Sequence, residues 1–198
     1  MITKVIFTLI VVAVILQRLI ELRISKQNAT YLLTNGGREY GSNSLWIVKV
    51  LQVSWFAAMI NEVWWFNPPF MPGLAAIALM LTVAGQGLRY LSMRSLKKRW
   101  TLPIITFPDK PVVNSGIYLY LKHPNWLGVI LEIAALPLIH TAYFTTIVFS
   151  IANALLMSRR IHTEEQALSE DTNYADVFAN RPSFIPVIGF IKGANSSR

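Results

Sequence analysis

Lys122-His123-Pro124-Asn125-Trp126-Leu127-Gly128 opens the stretch that decides the fold, and Arg160-Ile161-His162-Thr163-Glu164-Glu165 closes it. Between Trp126 and Ser158 the only charged residue is Glu132. As one helix, at about 1.5 Å per residue, this run would be roughly 50 Å long, too much for a single crossing of a hydrocarbon core of about 30 Å. Pro137 and His140 lie near its middle, so two short helices in a hairpin are predicted, each slightly short and therefore tilted or in a thinned bilayer. The hairpin returns its two polar flanks to the same side. Ionisable groups beside a bilayer are costly, and a compact group of them marks a functional site by default.

The rest of the chain fits that setting. It has 198 residues, of which 54% are hydrophobic and only 14% charged, where a soluble domain carries about 25% charged residues. The deficit is concentrated in runs: Val5 to Gln17, Met71 to Leu88 and Ile133 to Ser158 carry no charge. An integral membrane protein follows. The first run has Lys4 as its only early basic residue, lacks a small-residue cleavage site, and leads into Gln17, Arg18, Glu21 and Arg23. It is expected to be a retained membrane helix and not a signal peptide. With no cysteine in the chain, disulfides, thiolate metal sites and cysteine nucleophiles are excluded. His162 and Glu165 stand one turn apart without a second such pair, so no metal is expected. The net charge of +8 belongs to loops beside membrane helices, where it sets orientation and meets anionic lipid, and no nucleic-acid partner is expected.

Five transmembrane helices are predicted in an all-α, polytopic fold: about Ile2 to Leu22, Leu45 to Phe66, Pro72 to Leu91, and the two arms of the hairpin. Arg18, Glu21, Arg23 and Lys26 are expected to snorkel at the end of the first. Asn35-Gly36-Gly37 signals a turn, and Asn67-Pro68-Pro69 ends the second helix. Lys49 and Glu62 are read as interfacial or interhelical. Gly85 and Gly87 are read as packing contacts. Arg89 starts the basic exit that continues through Arg94, Lys97, Lys98 and Arg99, where residues 94–99 anchor the topology. Glu132 is expected either to face a wet cavity or to snorkel. Basic and neutral loops alternate, which puts the N-terminus outside and the C-terminus in the cytosol. One domain is expected over 1–198: three helices in 1–94, a cytosolic connector in 95–125, the hairpin in 126–158 and a cytosolic segment in 159–190. The tail from Lys192 to Arg198 reads as disordered.

Gly116-Ile117-Tyr118-Leu119-Tyr120-Leu121-Lys122-His123-Pro124-Asn125-Trp126 resembles the cofactor-binding stretch of the isoprenylcysteine carboxyl methyltransferase (ICMT) family, in particular its small bacterial membrane branch. Arg160 to Leu168 resembles that family's arginine and double-glutamate segment. Tyr174 to Phe178, with Arg181-Pro182-Ser183-Phe184-Ile185-Pro186, is similar to its C-terminal end. The resemblance covers roughly Val112 to Pro186. Lys122 stands where the family usually has arginine, and Trp126 where it usually has tyrosine. A lysine keeps the charge without a bidentate fork.

The resemblance implies S-adenosyl-L-methionine as cofactor and O-methylation of a lipophilic or prenylated substrate drawn from the bilayer, at a cytosolic site of a bacterial inner membrane. The acceptor would be a carboxylate such as an isoprenylcysteine, or an acidic enol such as an alkylpyrone. It assigns Tyr118, Leu119, Tyr120, Lys122, His123, Pro124 and Trp126 to the cofactor and Arg160, Glu164 and Glu165 to catalysis. The chemistry of these residue types agrees. Methyl transfer to an oxygen anion is an in-line displacement that gains from positioning, and a carboxylate is already ionised at neutral pH. Arg160 offers a planar fork for the acceptor anion, Glu165 would orient Arg160 or the acceptor, and aromatic faces suit a sulfonium. Each feature also has a plainer reading. His-Pro is a helix start, and Arg160 with Glu164 is the spacing of a surface ion pair. A nicotinamide-dependent membrane reductase, a phospholipid N-methyltransferase and a non-enzymatic scaffold remain open alternatives.

Overall fold

The computed structural model describes residues 1–41, 45–108 and 110–184. Ile185-Pro186 and the Lys192 to Arg198 tail lie outside the described residues. The elements run α1 (Ile2–Thr34), β1 (Arg38–Tyr40), α2 (Leu45–Trp65), α3 (Pro72–Leu96), β2 (Ile104–Thr106), α4 (Pro124–Ala135), α5 (Tyr143–Asp171) and α6 (Tyr174–Phe178). Tight turns of 3₁₀ helix occupy Lys97–Arg99, Gly116–Leu119 and Pro137–His140. Among the described residues, two helices, Ile2–Thr34 and Pro72–Arg99, are long and apolar enough to cross a membrane. The other three expected crossings do not reach that standard. α2 carries Lys49, Gln52, Asn61 and Glu62, α4 is short, and the second half of α5 is polar.

The hairpin forms where Pro137 interrupts the apolar run. Thr141 takes a left-handed conformation (φ 53°), and its hydroxyl donates to the Pro69 carbonyl at 2.7 Å. Glu62 caps the returning helix, accepting from the backbone N–H of Phe144 (2.9 Å) and Thr145 (2.7 Å) and from the Thr145 hydroxyl (2.6 Å). These are the orphan donors of a helix start. The expected interhelical role of Glu62 is therefore specific.

Three helices outrun their predicted ends. α1 continues from Leu22 to Thr34, α3 from Leu91 to Leu96, and α5 from Ser158 to Asp171. The cause is local: none of those extensions contains proline or glycine, so the helix carries on after apolarity stops. α1 ends only at Asn35-Gly36-Gly37, where Gly36 is left-handed (φ 91°) and the Gly37 N–H returns to the Leu32 carbonyl at 2.8 Å. This is the glycine termination that a helix C-terminus favours.

Apolar packing concentrates at the end of the bundle away from these extensions. Phe7, Val11 and Val14 of α1 meet Trp55, Met59 and Val63 of α2, with Ile133, Leu136 and Ile139 of the hairpin. Beside this core, α3 and α4 approach backbone to backbone. A Cβ on Gly85 would meet the Gly128 carbonyl at 2.9 Å, and one on Gly128 would meet the Gly85 carbonyl and the Arg89 side chain at 2.7 Å. Gly87 has open space around it, so only Gly85 of the predicted pair is a packing contact.

The close approach frames a buried ionic quartet that joins α1, α3 and α4. Arg18 bonds Glu21 at 2.6 Å and also Glu132; Arg89 bonds Glu21, with its Nε 3.7 Å from Glu132. Gln17 donates to Glu21 at 3.0 Å. Glu21, Arg89 and Glu132 are buried, Glu132 to 1% exposure. This corrects three expectations. Arg18 and Glu21 do not snorkel, Arg89 is not part of the basic exit, and Glu132 faces two guanidinium groups in place of water or an interface.

Gly128→Ala should force α3 and α4 apart, costing about 1–3 kcal/mol and lowering the thermal unfolding midpoint in detergent, while Gly87→Ala leaves the midpoint in place. Glu132→Leu leaves Arg18 and Arg89 sharing Glu21 alone, one buried positive charge in excess, and should cost about 3–5 kcal/mol in the same measurement.

Candidate active site

The site lies at the end of the bundle reached by the extended helices. Proline suits the first turn of α4, and the segment ahead of it is held from the C-terminal side. The Lys122 N–H donates to the Pro182 carbonyl at 3.1 Å and the His123 N–H to the Ser183 carbonyl at 3.2 Å. Arg181 closes the same loop, donating to the Tyr118 carbonyl at 2.5 Å. Residues 181–183 thus form a strap over the segment from Tyr118 to His123.

α5 supplies the facing wall. His123 Nε2 and Glu165 Oε1 are 2.8 Å apart, and the Tyr174 hydroxyl donates to the same oxygen at 3.1 Å. Burial would raise the Glu165 carboxyl, but the bond and charge of His123, helped by Tyr174, hold it below its ordinary value of 4.5. Burial, then the neighbouring Glu165, pushes the Tyr174 phenol far up, so it remains a donor. One residue earlier, Glu164 Oε2 accepts from Trp126 Nε1 at 2.7 Å. Arg160 is 3% exposed. Its Nη2 donates to the Leu102 carbonyl at 2.7 Å, and its guanidinium lies 5.6 Å from the Trp126 ring centre. An exposed Arg160–Glu164 pair is therefore not what forms: Arg160 is inside.

The roof is the connector between α3 and α4. β1 and β2 pair antiparallel, Arg38 opposite Thr106 and Tyr40 opposite Ile104. Asp171, at the end of α5, accepts from Thr106, from Tyr40 at 2.9 Å and from Arg38 at 3.0 Å. The Thr106 bond leads in holding the Asp171 carboxyl below its ordinary range against burial, with Tyr40 and Arg38 adding to it. On the other side, the Leu102 N–H donates to Ser25 of α1 at 2.7 Å. The connector is fastened at both edges.

Beneath it is a cavity of about 340 Å³, within the range of small-molecule sites, roughly 300–1,000 Å³. Tyr118, Lys122, His123, Trp126, Arg160 and Glu164 all line it. The remaining predicted site residues stand elsewhere. Pro124 is buried at the start of α4, Glu165 stands behind His123, and Leu119 and Tyr120 are exposed. Glu165 hydrogen-bonds His123 and Tyr174, which is a different partnership from the expected one with Arg160. The cavity also touches Arg18, Glu21 and Arg89 of the quartet, Asn125 and Asn153, none of them predicted as site residues. An arginine and a glutamate one turn apart inside an apolar helix were a visible signal for the first two. Asn153 carried none.

Two membrane-length helices and a roofed, largely apolar cavity with charged residues in its wall fit a membrane protein with a candidate small-molecule site. Sequence comparison gives the family. The isoprenylcysteine carboxyl methyltransferase (ICMT) family matches residues 77–170, so the match reaches into α3 and takes in Arg89. Uncharacterized protein YpbQ of Bacillus subtilis (strain 168) is 34% identical over 173 residues, 83% of this chain and 97% of that one. An uncharacterized protein of Haemophilus influenzae is 28% identical over 153 residues, 77% of this chain and 88% of its own. The chain belongs to the ICMT family of methyltransferases.

The depressed Glu165 carboxyl has a sign. Its contribution to stability is complete above pH 4.5 and is lost as pH falls through the lower folded value. Glu165→Gln should therefore lose less stability than the wild-type protein below pH 4.5, read by tryptophan fluorescence during acid unfolding.

Proposed function

We propose that this protein transfers the methyl group of S-adenosyl-L-methionine to an oxygen anion of a lipophilic acid or acidic enol. The observation that carries the reading is that His123 and Arg160, 37 positions apart in the chain, line one cavity.

The donor set suits the cofactor. Glu164 and the two asparagines offer acceptors and donors for an ammonium group and ribose hydroxyls, and His123 and Lys122 offer donors for a carboxylate. The faces of Tyr118 and Trp126 suit an adenine ring or a sulfonium. Lys122 would act as a point charge and not as a fork. When bound, the cofactor would supply an electrophilic methyl on a sulfonium sulfur, which would leave as the neutral thioether, and an acceptor already ionised would need no base.

The residues contribute position and charge. The Leu102 carbonyl and the Trp126 face fix the guanidinium of Arg160, leaving it preorganised for the acceptor oxygen. Glu165 and Tyr174 fix the imidazole of His123. The β1–β2 roof excludes water, which strengthens both sets of contacts. A cation beside the acceptor also argues against a phospholipid N-methyltransferase, whose amine acceptor gains nothing from a guanidinium neighbour.

Detergent-purified protein should bind S-adenosyl-L-methionine and not NADPH by equilibrium titration. Given a total lipid extract and labelled cofactor, it should label a lipid that mass spectrometry identifies as an O-methyl product. Arg160→Ala should reduce turnover by about 10²–10³-fold with little change in cofactor affinity, the scale of losing one preorganised charge-stabilising donor. Unchanged turnover in that variant contradicts the assignment.

A further inference from the structure

Of the four basic residues at the end of α3 and in the turn after it, two are engaged and two are not. The Lys98 ammonium lies 4.1 Å from the centre of the Tyr31 ring, and Arg99 donates to the Pro111 carbonyl at 2.6 Å. The side chains of Arg94 and Lys97 are exposed and make no ion pair or hydrogen bond among the described residues. Those two share one groove. It is open, holds about 330 Å³, and has no lining residue in common with the roofed cavity. Leu91, Arg94, Ser95 and Lys97 form one wall and residues 115–117 the other, with no carboxylate among them.

The groove is preformed. Gly116 is left-handed (φ 60°) and pressed so closely on Ser95 that a Cβ has no room, which holds the connector against the last turn of α3. Lys97 also takes a positive φ of 52°, a conformation uncommon for any residue but glycine, and so ends α3 with its side chain still on the groove. The Ser95 hydroxyl is occupied by the Leu91 carbonyl at 2.8 Å, whereas the Ser115 hydroxyl is exposed and caps nothing. A guanidinium, an ammonium and a hydroxyl around one space form a donor set for phosphate oxygens.

Depth and the adjoining surface indicate where the phosphate comes from. α3 belongs to one of the two helical stretches long and apolar enough to cross a membrane. At ~1.5 Å per residue, Leu91 stands roughly 29 Å along it from Pro72, about the thickness of a hydrocarbon core. Arg94 and Lys97 follow at headgroup depth. Behind Arg94 on the same face come Leu91, Gly87, Ala84 and Met80, all exposed and spaced by three or four residues. Gly87 has open space around it. Two small residues between two bulky ones leave a shallow channel on the helix, and it runs into the groove.

We propose that this groove binds one anionic phospholipid, its phosphate held by Arg94, Lys97 and Ser115 and an acyl chain lying along Leu91, Gly87 and Ala84. A zwitterionic lipid would bring its own ammonium to two protein cations, so a headgroup of net negative charge fits better. Cations that only set orientation need neither a walled groove nor a channel. An arginine in a last helical turn can serve the terminal carbonyls, but Arg94 bonds none of them. The site stands independently of methyl transfer.

The test titrates the full chain in detergent micelles with phosphatidylglycerol or phosphatidylcholine of the same acyl chains, and counts bound lipid by native mass spectrometry. One phosphatidylglycerol should be retained, in preference to phosphatidylcholine. Arg94→Gln with Lys97→Gln should weaken it roughly tenfold, the scale of two exposed ion pairs, while Arg23→Gln with Lys26→Gln, the same loss of charge on α1, leaves it unchanged. Arg94→Lys with Lys97→Arg should retain the lipid, which separates lost charge from a damaged fold. Gly87→Leu should fill the channel and reduce retention without moving the thermal midpoint, and glycerol phosphate, which has no tails, should not displace the lipid. Equal retention of the two lipids, or equal loss in both double glutamine variants, overturns the proposal. Displacement by glycerol phosphate at matched concentration overturns it too, since the groove would then be a site for soluble phosphates.

Discussion

Four charges buried among apolar helices have to cancel, and the way they cancel sets the frame of this protein. Arg18 and Glu21 belong to α1, Arg89 to α3 and Glu132 to α4, and each arginine reaches both glutamates. A single uncompensated ion in such a place would cost several kcal/mol. Sliding or rotating any one helix by a turn would leave one. The quartet therefore fixes the register of three helices at once, which apolar side chains alone, interchangeable with lipid, do poorly. The Gly85–Gly128 contact is its counterpart, since only a close approach of α3 and α4 lets Arg89 lie beside Glu132.

From that register the site follows. Fixing α4 against α3 fixes His123 at its first turn, and the hairpin reversal at Pro137 to Thr141 then determines which face of α5 looks back at α4. Arg160 and Glu164 share that face because they are one turn apart. Glu165 is rotated to the side, where His123 and Tyr174 take it. The long extensions of α1, α3 and α5 serve the same end: they carry polar residues past the apolar layer, where the three-residue strands and the connector can close over the cavity.

How much of this the chain discloses in advance depends on the range of each interaction. The hairpin was legible because one proline breaks an otherwise unbroken apolar run, a local event. The convergence of His123 and Arg160 was legible because that hairpin forces its two flanks together. The ends of α1, α3 and α5 were misplaced because hydropathy reports where the membrane stops and not where the helix stops, and only Asn35-Gly36-Gly37 marked a true end. The quartet was hidden for a different reason. Its pairs join residues far apart in sequence, Arg18 with Glu132 among them, and each charge taken singly looks like a residue reaching for an interface. The β1–β2 pair is too short for alternation to be visible in either strand.

The position held by tryptophan in place of the family's usual tyrosine shows how a local exchange is absorbed. The indole of Trp126 presents a broad face to Arg160 and its N–H to Glu164. One side chain thus orients both the cation and the carboxylate of the opposing helix. A phenol hydroxyl can donate one bond at a different reach, and its smaller ring offers a weaker face to a cation. Arg160 is steadied instead by the Leu102 carbonyl together with that indole, which ties the guanidinium to the roof as well as to α4. Movement of the connector would then be felt directly at the charge that the proposed chemistry depends on, and opening of the roof would loosen the site at the same moment that it admits water.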